Sequence, residues 1–161
     1  MKRLTLIRHA QAEDKLLGQR DWDRPLTKRG ILDATEMAQR LKQKRLKPSL
    51  ILSSPAIRTL QTSGLFAEQL SNIKIETHEE LYLATCNQLL EILQLQLVQS
   101  NHLLIVGHNP GLTEFADLIS DQYRIDTMPT ASIITMKLNI PTWQDIRPAI
   151  GFDVEFDYPN K

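Results

Sequence analysis

The sequence predicts an α/β fold whose sheet is largely parallel and covered on both faces. Three short apolar runs, Leu4 to Ile7, Leu50 to Leu52 and Leu103 to Val106, are each too short for a helix and read as buried strands. Segments of helical periodicity fall between them. The 161 residues contain no internal repeat, no low-complexity tract and no Gly/Ser- or Pro-rich linker, so one domain spanning 1–161 is expected, long enough to bury a hydrophobic core.

Each element follows from its residues. After the first strand, Thr27 to about Arg45 places Ile31, Ala34, Ala38 and Leu41 on one stripe, as in a helix packed on a sheet. The second strand leads into SSP, where Ser54 is suited to capping and Pro55 to the first turn of a helix running toward Leu70. A third helix is expected over Asn87 to Gln99, with Leu89, Leu90, Leu93 and Leu97 on its buried side. The next starts after His108, with Asn109 or Pro110 near its first turn and Leu112, Phe115, Leu118 and Ile119 facing inward. The last quarter changes period. ASIITMKL alternates like a strand, and so do Phe152, Val154, Phe156 and Tyr158, which predicts edge strands, at least one antiparallel.

Composition narrows the function. Nineteen basic and 19 acidic residues cancel, so nothing in the overall charge argues for nucleic acid or an anionic membrane as the default partner, and neither is expected. The basic run RLKQKRLKP, residues 40–48, reads as a solvated helix end. The single cysteine, Cys86, excludes an internal disulfide and reads as a small buried hydrophobe in a reducing compartment. The N-terminal apolar stretch is too short for a signal-peptide core and no run reaches membrane-spanning length, so a cytoplasmic location is expected. Trp22 and Trp143 read as packing residues, with Trp22 close enough to the chemistry described next to roof it; His78 and His102 read as structural or exposed.

The chemistry lies one step past each buried strand. Arg8 and His9 follow the first, Ser53, Ser54 and then Arg58 the second, and His108 and Asn109 the third. Ligands of open α/β sheets bind at the carboxyl ends of the strands, so these residues should share a pocket. A guanidinium offers paired planar donors to phosphate oxygens, and helix N-termini after Ser54 and His108 add backbone N–H groups. A neutral imidazole nitrogen can attack phosphorus while a neighbouring protonated one stabilises charge on the oxygens. Such a site needs no metal or other cofactor. Alone, each motif has a plain structural reading as a cap or turn; together at three strand ends they point to a phosphoryl group.

Arg8-His9-Ala10, Ser54-Pro55 with Arg58, Gln61 and Thr62, and Val106-Gly107-His108-Asn109-Pro110-Gly111 resemble the histidine phosphatase superfamily. With DRPLTKRG at residues 23–30 and the short chain, they are most similar to its SixA-type phosphohistidine phosphatases. The resemblance implies a three-layer α/β/α sandwich with a mixed, mostly parallel central sheet, as in phosphoglycerate mutase-like proteins. It also implies a cofactor-independent enzyme in which His9 accepts the phosphoryl group and Arg8, Arg58 and His108 bind its oxygens. The implied partner is a phosphorylated protein such as a histidine-phosphotransfer domain, or a small phosphorylated substrate. A general small-molecule phosphomonoesterase and a non-catalytic phosphate- or phosphoprotein-binding module are the alternatives.

One departure carries information. Relatives acting on sugar phosphates place a glutamate acid in the region of Leu81 to Leu83, where this chain reads LYL. Glu13, Asp23, Glu79 and Glu80 are the candidate substitutes, and none at all is the remaining possibility. An alkoxide leaving group needs a proton in the transition state, whereas an imidazole can be protonated near neutral pH before the P–N bond breaks.

Overall fold

The computed structural model describes residues 1–160. Six strands, β1 (Lys2–Arg8), β2 (Leu50–Ser53), β3 (Lys74–Thr77), β4 (His102–Gly107), β5 (Ile133–Leu138) and β6 (Gly151–Asp157), form one sheet in the order β3-β2-β4-β1-β5-β6. Strands β3, β2, β4 and β1 run parallel, while β5 is antiparallel to both β1 and β6. The sheet is therefore mixed, with its parallel half where the apolar runs predicted it. β3 was not legible: KIET is short, polar and half-exposed because it forms an edge.

Helices α1 (Lys28–Gln43), α2 (Ile57–Gln69), α3 (Cys86–Gln94) and α4 (Gly111–Ile119) supply the outer layers. The Ala34, Met37, Ala38 and Leu41 face of α1 packs with Phe66 and Ala67 of α2 against Ile7, Ile51, Leu104 and Val106. On the other face, Leu89 and Leu93 of α3 and Leu112, Phe115 and Ile119 of α4 cover Leu4, Leu6, Leu52, Leu103 and Ile105, together with the fully buried Trp143.

Several local expectations change. Ile31 is 42% exposed, because the buried stripe of α1 passes through Met37 instead. Helix α3 stops at Gln94, so Leu97 is exposed; the spacing of Leu93, Leu95 and Leu97 by two is not a helical period. Leu90, Leu118 and Cys86 are only partly buried, lying against the core. Helix α2 begins at Ile57 with Ala56 at the N-cap and no side-chain cap; the Ser54 hydroxyl is used elsewhere, as described below. Thr27 does cap α1, its side chain accepting from the Gly30 N–H at 2.9 Å. In the basic run, Arg40 pairs with Glu36 and Asp157, and Lys44 with Glu155.

Gly111, at the start of α4, fixes how closely this helix approaches the segment after the 3₁₀ turn Glu79–Leu81. A Cβ there would lie 1.9 Å from the Ala84 carbonyl oxygen. Gly111→Ala must displace backbone and is expected to cost about 3 kcal/mol, read as a lower denaturant midpoint.

Candidate active site

Register brings the chemistry to one level. Arg8 lies opposite Gly107 and Ser53 opposite Val106, so β1, β2 and β4 end together at one edge of the sheet. The chain then continues the ladder for one more bond on each side: the His9 N–H donates to the Gly107 carbonyl at 3.1 Å and the Ser54 N–H to the Val106 carbonyl at 3.1 Å. Arg8, His9, Arg58 and His108 consequently line one cavity of about 390 Å³, together with Asp21, Arg24 and Asn109. The four residues singled out at three separate strand ends are neighbours.

The two histidines are oriented differently. His9 Nδ1 is 2.7 Å from the Ala10 carbonyl oxygen, which can only accept, so Nδ1 carries the proton and Nε2 keeps its lone pair. His108 Nε2 is 2.7 Å from the Ser54 hydroxyl, while Arg58 Nη2 stands 3.4 Å from its Nδ1, which therefore faces a donor. The ring centroids are 5.4 Å apart, close enough for both rings to reach one tetrahedral group in the cavity they line. Burial, joined by the charges of Arg58 and Arg8, pushes His9 down to about 4 even though its bond to Ala10 works the other way. Burial and then the Arg58 charge bring His108 down to about 3. Both rings are neutral without an anion, as a nucleophile must be.

Arg58 is buried, at 2% exposure, and does not reach into the cavity unsupported. Its Nη1 donates to the Asp21 carbonyl at 2.7 Å and its Nη2 to the Asp21 carboxylate at 2.8 Å. Asp21 also accepts from Arg24 and from the Tyr82 hydroxyl. Burial alone would raise the Asp21 carboxyl, but these three donors outweigh it and hold it well below the usual carboxylate range. Arg8 is anchored by Nη1 donating to the Met128 carbonyl at 2.8 Å, and the Nε atoms of both Arg8 and Arg58 are buried without a partner. Three arginines against one aspartate leave two net positive charges around the cavity when the histidines are neutral. That balance suits a phosphate dianion.

Asp21 and Arg24 were missed from sequence, although Asp23 beside them was weighed. Within the 3₁₀ turn Asp21–Asp23 the two carboxylates diverge: Asp23 turns outward to Arg20 while Asp21 turns in. Glu13, Asp23, Glu79 and Glu80 do not line the cavity. In the region expected to hold the acid, Leu83 lines the cavity, while Tyr82 packs edge-on against His108 with centroids 5.4 Å apart and ties down Asp21. Trp22 stacks on Tyr82 at 4.7 Å, outside the cavity lining, so it supports the wall and is not a roof. His102 is buried, with Nε2 bonded to the Thr5 hydroxyl at 2.7 Å. Among the described residues, no group of three or more His, Cys, Asp or Glu is placed to hold a metal ion, and no helix is long and apolar enough to cross a membrane.

The buried histidines make stability depend on pH. His9, His102 and His108 sit near 4, 4 and 3, against about 6.5 in an unfolded chain. As pH falls from about 6.5 toward 4 the unfolded state takes up protons that the folded state refuses, so stability is full above about 6.5 and is lost on acidification. A loss on the order of 1–2 kcal/mol per histidine by pH 5 is expected, measured as denaturant unfolding in phosphate-free buffer.

Comparison with known proteins agrees with this geometry. Residues 4–82 match the family model described as histidine phosphatase superfamily, branch 1. An uncharacterized protein of Picosynechococcus is 34% identical over 123 residues, covering 73% of this chain and 72% of that protein. The chain belongs to the histidine phosphatase superfamily. An uncharacterized chloroplastic protein of Arabidopsis thaliana is also 34% identical over 129 residues, 74% of this chain, and the match spans 59% of that protein's length. Among solved structures, a protein assigned as phosphohistidine phosphatase SixA from Agrobacterium tumefaciens superposes with a TM-score of 0.82 at 26% identity, covering 98% of both chains. The protein histidine phosphatase SixA complexed with tungstate gives 0.78 at 21% identity, over 97% of this chain and 94% of that one. Within the superfamily, the fold is thus that of its SixA-like members.

Proposed function

We propose that this histidine phosphatase hydrolyses phosphohistidine on a protein, such as a histidine-phosphotransfer domain, through a phosphoryl group carried on His9. The observation that carries the reading is the state of Asp21, the one carboxylate lining the cavity among the described residues. It is bonded to Arg58, Arg24 and Tyr82 and held ionised, so it has no proton to give. The site has positive charge and a nucleophile but no carboxylic acid to protonate a leaving group.

Phosphohistidine suits that equipment. Its ring, protonated on the nitrogen that does not bear phosphorus, leaves as neutral imidazole when the P–N bond breaks and needs no proton from the enzyme. His9 Nε2 forms the new P–N bond in line with the departing one, while Arg8, Arg58 and His108 bind the equatorial oxygens. Anionic oxygens bound beside the rings favour a protonated His108 in the loaded site, which then donates from the Nδ1 side. Water next attacks phosphorus, the His9–phosphorus bond breaks, and phosphate leaves with His9 neutral again. The likeness to SixA structures supports the substrate class, and the cavity opens directly at the surface beside the exposed Leu83.

Because general acid catalysis is worth about 10²- to 10⁴-fold, kcat/KM for a phosphohistidine peptide should exceed that for a sugar phosphate by about 10²-fold or more. Equal values for the two substrates would dismiss the reading. A small-molecule phosphomonoesterase would show the reverse order.

A further inference from the structure

The basic run at residues 40–48 splits in two. Arg40 and Lys44 are neutralised by carboxylates of the C-terminal segment, but Arg45 and Lys47, beyond the end of α1, have no carboxylate within salt-bridge distance among the described residues, and neither does Arg3. These three cations, with Lys2, whose ammonium donates to the Ser100 carbonyl and Asn101, line a second cavity of about 300 Å³ to which no acidic residue contributes. Asp153, the carboxylate that feels the Arg3 charge, is already bonded to Lys137.

The floor of this cavity includes His102, only 4% exposed. Its Nε2 is held by Thr5, whose hydroxyl lies 2.9 Å from that of Thr135, but its Nδ1 is buried with no hydrogen-bond partner. An orphaned buried polar atom costs about 1–3 kcal/mol and calls for an explanation. With the Thr5 hydroxyl donating to Nε2, Nδ1 carries a hydrogen for which the described residues supply no acceptor. A solvated patch of lysines would not need a buried imidazole beneath it.

Arg3 and His102 lie at the start of the strands that end at Arg8 and Gly107, so about 17 Å of parallel ladder separates this cavity from the catalytic one. We infer that the cavity framed by Arg3, Arg45, Lys47 and His102 is a second anion site, binding a small oligophosphate-bearing molecule away from the catalytic histidines. Four cationic side chains without a carboxylate partner among the described residues, Lys2 with Arg3, Arg45 and Lys47, suit a multiply charged oligophosphate, and the volume admits a small molecule, not a protein helix.

The test uses ¹⁵N-histidine-labelled full-length protein titrated with pyrophosphate at constant ionic strength, with the His102 resonance identified by His102→Gln. Saturable movement of that resonance is expected in the wild type and in Arg58→Ala, whose catalytic anion site is impaired. Affinity should fall at least tenfold in the Arg45→Ala/Lys47→Ala double variant, while its phosphatase activity stays unchanged. A His102 signal that does not saturate, that moves equally with KCl, that is indifferent to the double substitution, or that responds only to an RNA oligonucleotide would overturn the inference.

Discussion

His9→Ala should abolish phosphate release, by roughly 10⁴- to 10⁶-fold, the scale on which loss of a covalent nucleophile registers in other enzymes. No other group in the cavity is placed to replace it: the ring nitrogens of His108 are engaged by Ser54 and Arg58. The loss should not come from unfolding. His9 lies at the cavity surface with one hydrogen bond to a neighbouring carbonyl, and its removal also takes away one of the three acid-sensitive imidazoles. The variant should therefore show unchanged circular dichroism and a smaller stability loss between pH 7 and 5. Incubation with radiolabelled phosphohistidine peptide should leave an acid-labile, base-stable label on wild-type protein and none on His9→Ala. A residual rate within tenfold of wild type would mean that phosphorus is attacked by water directly.

Arg58→Ala carries the second-largest effect, about a 10³-fold fall in kcat/KM, as expected for a buried charge-assisted donor to the transferring group. Its removal also leaves Asp21 with only Arg24 and Tyr82, so a negative carboxylate would point into a site meant for an anion. The two consequences act in the same direction, which is why the drop should exceed that for a lone oxyanion donor. Arg58→Lys should recover little: one ammonium cannot reach the Asp21 carbonyl, the Asp21 carboxylate and His108 as the planar guanidinium does. Steady-state kinetics on the phosphohistidine peptide checks both variants, and a lysine variant near wild-type rate would show that charge alone suffices.

Parallel strands made much of this readable. Buried on both faces, β1, β2 and β4 appear as uninterrupted apolar runs, and the residue that breaks each run is at the edge where ligands bind. Arg8, His9 and His108 were legible for that reason, and Arg58 because it sits in the first turn of the helix after β2. Asp21 has no such marker. It lies in a loop without periodicity and owes its role to an arginine 37 residues along the chain. Ser54 was legible as a residue of interest but with the wrong partner, since local sequence suggests a cap while the hydroxyl reaches a histidine 54 residues away. The length of α3 was overread because leucines continue past its end, and β3 was overlooked because an edge strand needs little apolar content.

The position of β1 has a consequence for synthesis. It is made well before either of its neighbours in the sheet: Ile7 pairs with Val106 on one side and with Ile133 on the other. At translation rates of roughly 5–20 residues per second, Ile7 waits on the order of ten seconds for the second of these partners to be made. During that interval the nascent chain holds an unpaired apolar strand next to His9, and the wall of the cavity cannot close before Ile133 has been made.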